Sequence, residues 1–382
     1  MNATVEIRDR IEPLVADWER LAQHNEASPF LWPGWFDALW RAVGAGRLQI
    51  LTAYQDGRFA GVLPLYRSRG TLNSLTNPHT PLFSFLAANE RAAEQLTQAL
   101  FSQRAHRIDL SFLRSADTGI SSVHLAADAA HYRVLTKSRQ AGPIIAIDGT
   151  SWDAYESGLG RNLRKDLRRR RRRLEEEGRL TLEVSDGTER LDELLEEGLR
   201  IEGLGWKNTE GTSINSSPVT RRFYTEVARW AAERGWLRLA FLRLDGQALA
   251  FDYCFEHNRV HYALKTGYDP AYENFSPGKV LRHMMILRTF SEGLATYDFL
   301  GFSDPWKQKW TNVQQEQLSQ QELVSLRMFA PTARGFLDRE VYVSGRLAVE
   351  GAKRLALNPV FGERGYHMLR RGYRTVRARL GR

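Results

Sequence analysis

Residues 262–310 read YALKTGYDPAYENFSPGKVLRHMMILRTFSEGLATYDFLGFSDPWKQKW. An apolar strand, expected over Arg259–Thr266, runs into the turn Ser276-Pro277-Gly278-Lys279. A helix follows over Gly278–Gly293, then a second strand, Tyr297–Leu300, and the loop Asp304-Pro305-Trp306-Lys307. A strand feeding a glycine turn and a helix start aims unpaired N–H groups and the positive end of the helix dipole at one spot. That is a natural seat for phosphate. Gly278 permits close backbone approach, Lys279 adds a charge, and the amides of Gly278–Val280 point at the bound group. The stretch predicts an α/β fold and an enzyme holding a phosphate-bearing donor.

Outward from this stretch, the second half predicts a helix over Ser151–Glu177, a strand over Leu180–Val184, and helices over Arg190–Glu202 and Pro218–Arg234. A hairpin, Trp236–Arg243 with Ala248–Glu256, turns at Asp245-Gly246, and Glu322–Met328 is its last strand. The first half has the same outline. Helices are expected over Asp17–His24 and Trp35–Val43, and strands over Leu48–Tyr54 and Phe59–Tyr66 around Asp56-Gly57. A rigid loop, Asn77-Pro78-His79-Thr80-Pro81, precedes a helix over Arg91–Gln103 and a strand over Arg107–Leu113. Pro143–Ile147 closes the half. Two mixed α/β halves result, 1–147 and 148–330, followed by a tail, 331–382.

The chain has 382 residues, 42% of them hydrophobic, enough for a large core and against global disorder. One cysteine, Cys254, excludes an internal disulfide framework and a multi-cysteine zinc site, and suits a reducing compartment. The first twenty residues are charged and carry no secretory h-region, and no apolar run is long enough to span a bilayer. A cytoplasmic protein, soluble or peripheral on the inner membrane face, is expected. Of the net charge of +9, nearly all sits in 331–382, where twelve Lys/Arg face four Asp/Glu. There Leu369, Tyr373, Val376 and Leu380 form one stripe among arginines. Such a helix suits an anionic membrane surface, and equally packing on the protein body or cradling RNA.

Within the apolar strands, two acids stand out. Asp252 lies in Ala250–Phe255 and Asp298 in Tyr297–Leu300, and a buried acid is costly unless it is paired or functional. Either is a candidate general base; either could instead partner a nearby arginine. Tyr268 and Tyr272 follow a strand and could protonate a leaving group. Trp306 and Trp310 stand one turn apart if helical, with Lys307 turned toward a phosphate or carboxylate. Trp206-Lys207, followed by Gly211-Thr212-Ser213-Ile214-Asn215, forms a polar loop of the kind that carries substrate contacts. The run Arg168–Arg173 covers every face of its helix, with Glu175–Glu177 placed to pair back at i, i+4. His257 and His261 fall across a strand turn with no third ligand, which argues against a metal site.

The order of these pieces resembles the GNAT-type acyltransferases of the CelD/BcsL group, with BioF2-like acetyltransferase domains, related to the Fem-type aminoacyl transferases. The matching pieces are Leu163-Arg164-Lys165 to Leu174, Trp206-Lys207, Gly211–Ile214, Phe223-Tyr224 and the Leu244-Asp245-Gly246 hairpin. Tyr268-Asp269-Pro270, Ser276-Pro277-Gly278, Asp298-Phe299, Trp306-Lys307 and Trp310 complete them. The resemblance covers 152–328 and is fainter before it. It implies two GNAT-like halves and transfer of an acyl group from acyl-CoA to an amine or hydroxyl, on a small-molecule or glycan acceptor of cell-envelope or exopolysaccharide assembly. It implies that splayed strands hold the pantetheine arm and the turn holds the pyrophosphate. In that picture Asp252 or Asp298 accepts the acceptor's proton, an amide near Lys265–Gly267 stabilises the oxyanion, and Tyr268 or Tyr272 protonates the thiolate. Ser276, Gly278, Lys279 and Val280 hold the pyrophosphate. Trp206, Lys207, Tyr272, Trp306 and Trp310 face the substrate, and Lys307 holds the acceptor or the developing negative charge. The usual GNAT turn is richer in Arg and Gly than this one. A Fem-like transferase using aminoacyl-tRNA, or a non-catalytic accessory protein of polysaccharide synthesis, are the alternatives.

Overall fold

Fourteen strands, numbered along the chain, fall into two sheets in a computed structural model that describes residues 3–115, 117–204, 213–312 and 322–356. The first sheet runs β1 (Ala3–Arg8), β2 (Arg47–Gln55), β3 (Arg58–Ser68), β4 (Thr71–Ser74), β6 (Arg107–Arg114), β14 (Glu322–Phe329), β7 (Arg133–Gln140). A short β5 (Leu86–Ala87) also pairs with β3. The second runs β8 (Ile144–Ala146), β13 (Thr296–Asp298), β12 (Val260–Tyr268), β11 (Gln247–His257), β10 (Leu237–Leu244), β9 (Leu180–Ser185). The helices are α1 (Val15–His24), α2 (Pro33–Val43), α3 (Glu90–Ser102), α4 (Thr118–Ala129), α5 (Trp152–Gly158), α6 (Arg161–Glu177), α7 (Leu191–Leu204), α8 (Pro218–Glu233), α9 (Pro277–Ser291) and α10 (Ala333–Ala356). The fold is mixed α/β with two sheets, as the sequence predicts.

Both hairpins turn where the sequence places them. Asp56 and Gly57 have φ of 49° and 78°, and Asp245 and Gly246 have 47° and 86°. Successive positive φ values match the right-handed twist of the flanking strands, which is why Asp-Gly is favoured there.

Three expectations need correction. The helix expected over Ser151–Glu177 is two, α5 and α6, parted where Leu159 is extended (φ −64°, ψ 146°) between Gly158 and Gly160. The strand at Glu322 belongs to the first sheet: β14 inserts between β6 and β7, antiparallel to both. Its Arg327 donates to both Asp109 carboxylate oxygens at 2.9 and 2.8 Å, fixing the register. Conversely, β8 from the Pro143–Ile147 segment pairs with β13 in the second sheet. Apolar alternation tells that a strand is half-buried; it carries no record of which sheet buries it. The segment 114–142, where the sequence offers no clear period, forms α4 and β7.

The halves share one core. From α2, Trp35 packs on Phe223 of α8 at 5.1 Å, and Phe30, just before α2, packs on Tyr262 of β12 at 5.3 Å. A Cβ at Gly34 would run into the Trp230 indole, so this contact of α2 with α8 depends on a glycine. A second core, beneath the other face of the second sheet, joins Leu167 and Leu174 of α6, Val280, Leu281 and Met285 of α9, and Ala240, Leu249 and Tyr297 of the strands.

Candidate active site

Strands β12 and β13 run parallel for three residue pairs, Val260↔Thr296 to Tyr262↔Asp298, and then part. Strand β12 continues to Tyr268, while the other chain turns away through Leu300 and Gly301, with φ of 52° and 60°. The V between them is a cavity of about 580 Å³. Ala263–Tyr268 form one wall, Ser276, Gly278, Lys279 and Arg282 the floor, and Phe299, Trp306, Lys307 and Trp310 the other wall. Because β13 has ended, the β12 edge from Ala263 onward faces the cavity rather than a neighbouring strand.

At the floor, Ser276 is left-handed (φ 49°, ψ 58°) and Pro277 opens α9. Proline has no N–H to lose there, and its fixed φ suits a helix start. The Lys279 and Val280 amides donate to the Ser276 carbonyl at 2.9 and 3.4 Å. Of the three amides expected to hold a phosphate, Gly278 is thus the one left at the cavity among the described residues. A Cβ there would meet Tyr268 at an ordinary 3.7 Å. Gly278 therefore leaves open space that the chain itself does not need. Lys279 Nζ reaches Asp166 of α6 at 3.3 Å, and Arg170 from α6 donates to the Asn274 carbonyl at 3.1 Å. Arg173 stacks over Phe275 at 4.7 Å. One face of the arginine run thus braces the segment leading into the turn. Arg171 and Arg172 pair with Glu175 and Glu176, the i, i+4 spacing the sequence predicts.

The opposite wall is equally fixed. Lys307 is largely buried and donates to the carbonyls of Leu300 and Phe302 at 3.0 and 2.9 Å. Burial lowers its pKa, opposed by Asp304. Its ammonium holds the turn that splays the strands, rather than standing free for a phosphate. Residues 305–310 form turns, not the helix that would space the two tryptophans. Trp306 is nevertheless half-open to the cavity, and Trp310 is buried, its carbonyl accepting from Tyr155 at 2.7 Å.

Of the sequence candidates, Lys265, Tyr268, Ser276, Gly278, Lys279, Trp306, Lys307 and Trp310 converge on this cavity. Val280 does not; its side chain is in the core. Tyr272 lies outside, its hydroxyl donating to Gln247 at 3.4 Å. Asp252 is wholly buried and paired with Arg282 at 3.3 Å, so no acceptor can reach it. Asp298 is on the strand face opposite Phe299. It lines a separate cavity of about 160 Å³ with Arg114, which lies 3.7 Å away. Burial raises its pKa against the pull of Arg114, and its Oδ1 accepts from the Leu300 N–H at 2.7 Å. Trp206 and Lys207 lie outside the described residues, as do residues 365–382, the basic stripe of the tail.

Two cavity residues were missed. Arg282 is 4% exposed and spans from Asp252 to the Trp306 ring, 5.0 Å from its centroid. Glu202 of α7 is 1% exposed and accepts from the Ile214 N–H at 2.8 Å. Both were marked in the sequence: each is a charge within a helix's apolar stripe, Arg282 among Val280, Met285 and Ile286, Glu202 following Leu195 and Leu199.

Residues 161–308 match the protein family described as acetyltransferase (GNAT) domain. That domain makes the protein an acyltransferase. Its matched span holds the V except for Trp310, together with the arginine helix that braces it. No curated protein matches the full sequence. Among solved structures, FemX is 14% identical, with a TM-score of 0.53 over 86% of this chain and 97% of that one. The C-terminal domain of a protein described as a lysylphosphatidylglycerol synthetase from Agrobacterium fabrum is 10% identical, also at 0.53, over 87% and 97%. A conserved protein of unknown function from Bacteroides thetaiotaomicron is 11% identical, at 0.51, over 86% and 100%. At these identities the likeness is one of fold, and it extends over both halves.

Proposed function

We propose that this acyltransferase takes its acyl group from an acyl-CoA and passes it to an amine or hydroxyl. The observation that carries the reading is the three-pair β12–β13 ladder, which stops at Tyr262↔Asp298 and opens onto the start of α9. An extended pantetheine arm can complete the exposed β12 edge as a strand would. Its pyrophosphate then meets the Gly278 amide and Lys279 at the positive end of the α9 dipole. Tyr268, on the same cavity wall, is placed to protonate the departing thiolate. The backbone of Lys265–Gly267 supplies donors for the oxyanion, a contribution on the order of 3 kcal/mol per donor in acyl transfer.

The motif order of the CelD/BcsL group supports an acceptor in cell-envelope or exopolysaccharide assembly. The tail supports work at an anionic membrane surface: Phe336, Leu337, Val341 and Leu347 of α10 are more than half exposed. Among the described residues no helix is long and apolar enough to cross a membrane. Deleting 365–382 should reduce partitioning onto phosphatidylglycerol vesicles, and unchanged partitioning removes the membrane role. Aminoacyl-tRNA is the second donor reading, favoured by the fold likeness to FemX along both halves.

A thermal-shift series with acetyl-CoA, longer acyl-CoAs, free CoA and charged tRNA separates these readings, because a ligand that binds only the folded state raises the melting temperature. Acyl-CoA should stabilise the protein. Stabilisation by charged tRNA alone, with no response to any CoA ester, overturns the acyl-CoA reading.

A further inference from the structure

Beyond the constriction formed by Leu264, Lys265, Phe299 and Lys307, a second cavity of about 190 Å³ opens, sharing those four residues with the first. Its far wall belongs to the other half of the molecule: Pro78, His79, Thr80 and Pro81, with Phe112 and Leu323. The loop is self-braced. Asn77 Oδ1 accepts from the His79 N–H at 2.9 Å and from the Thr80 hydroxyl at 3.1 Å, and the Asn77 N–H donates to Thr80 Oγ1 at 2.9 Å. The His79 ring stands edge-on to Tyr224 of α8, with centroids 5.6 Å apart.

We propose that this second cavity seats the nucleophilic end of the acceptor, and that His79 takes its proton during attack on the donor's carbonyl carbon. The proposal rests on the acyl-transfer reading above. The acceptor's nitrogen or oxygen bonds to the carbonyl carbon, the carbon–sulfur bond breaks, and CoA leaves as thiolate. The acceptor's proton passes to His79 and on to solvent, while the thiolate is protonated from the Tyr268 side. Burial first, and the charge of Lys265 second, lower the His79 pKa to about 4. The imidazole is therefore neutral, and able to accept a proton, throughout the neutral range. An amine that has attacked a carbonyl is a strongly acidic ammonium, so even a weak base suffices to collect its proton.

The groups facing His79 are Lys265 from β12, Lys307 from the loop after β13 and Tyr224 from α8, and among the described residues no carboxylate lines this cavity. Two cations disfavour an ammonium and favour an acceptor end that carries a carboxylate or phosphate beside an uncharged nucleophile. The volume, roughly that of six waters, admits the end of such a molecule only.

The test uses the full chain with histidine rings labelled at Cε1, the His79 resonance being assigned by its loss in His79→Gln. Titration with glycerate and with glycerol 3-phosphate, each an uncharged hydroxyl beside an anion, should shift that resonance saturably and leave those of His257 and His261 in place. With acetyl-CoA present, thiol release to either probe should fall at least tenfold in His79→Gln, while stabilisation of the variant by acetyl-CoA is retained. Lys265→Met should move the acid limb of the rate profile to higher pH, which a purely structural histidine would not do. Loss of acyl-CoA stabilisation in the wild type overturns the donor reading and this proposal with it. Normal acyl-CoA stabilisation with an unmoved His79 resonance, or undiminished thiol release in His79→Gln, overturns this proposal alone.

Discussion

A carboxylate inside a strand can be chemistry or scaffolding, and its partner decides which. Asp252, wholly buried, meets Arg282 at 3.3 Å, and Arg282 itself is 4% exposed at the cavity floor. Removing one charge of such a pair strands the other, at a cost of roughly 3–5 kcal/mol. Asp252→Asn should therefore lower the unfolding free energy, measured by denaturant titration, by that margin and, in the fraction that remains folded, leave acid–base dependence of the rate unchanged. A lost acid limb without lost stability would instead make Asp252 the base. Glu256 is a second sealed acid. Burial pushes its pKa up, but bonds from His261 and Arg288 outweigh that and hold it at about 2. A folded-state value below the unfolded one means stability that is complete above the unfolded carboxyl range and is lost as the pH falls toward 2. Glu256→Gln should reduce stability at neutral pH and flatten its decline in acid, measured by urea denaturation across that range. The sequence marks Asp252 and Asp298 as residues needing an explanation. It does not distinguish sealed from accessible, because the arginines that pair them, Arg282 and Arg114, come from a helix and from the other sheet.

The elements around the cavity are held at contact distance. A Cβ added at Gly267 would collide with the backbone of Glu202, so α7 rests directly on β12 at the point where the strand lines the cavity. Gly267→Ala must push helix and strand apart. Overpacking of this kind costs about 1–3 kcal/mol. The variant should melt earlier and bind acyl-CoA more weakly, both readable in one thermal-shift titration; unchanged binding would show that the β12 wall does not contact the donor. Much of this level was legible: the glycine turn, the hairpins and the i, i+4 pairing of the arginine helix all follow from local chemistry. The seating of Lys307 on two carbonyls was not, since those carbonyls become its partners only once the chain after β13 turns back through two positive φ values.

Across the whole molecule, strand exchange governs what can fold alone. The first sheet lacks a central strand until β14 arrives from the end of the second half, so β6 and β7 have no direct ladder between them. A chain of residues 1–147 should therefore be insoluble or unfolded. Joining Gln140 directly to Glu322, which are register partners, through an Asn-Gly turn should give a soluble first half with cooperative melting. A soluble, cooperatively melting 1–147 would refute the central role of β14. Sequence reading missed this exchange for a plain reason: the pairing of β14 with β6 joins residues more than two hundred positions apart, and no local pattern encodes it.

The same exchange has a mechanical side. The chain leaves the first sheet after Gln140 and re-enters it at Glu322, and the second half is entered and left side by side: Thr311 donates to the Ile144 carbonyl at 2.5 Å and Asn312 to that of Ala146 at 2.9 Å. The outgoing crossing and the segment Thr311–Asn312 are thus tied together at one place. Ala141, Gly142 and Ile144, which form the outgoing crossing, share a cavity wall with Leu300 and Gly301, the turn that Lys307 anchors. Because the crossing and the anchored turn are built into one wall, short-range bonds set the width of the constriction, and the distant ends of the two sheets can vary without disturbing the reacting atoms.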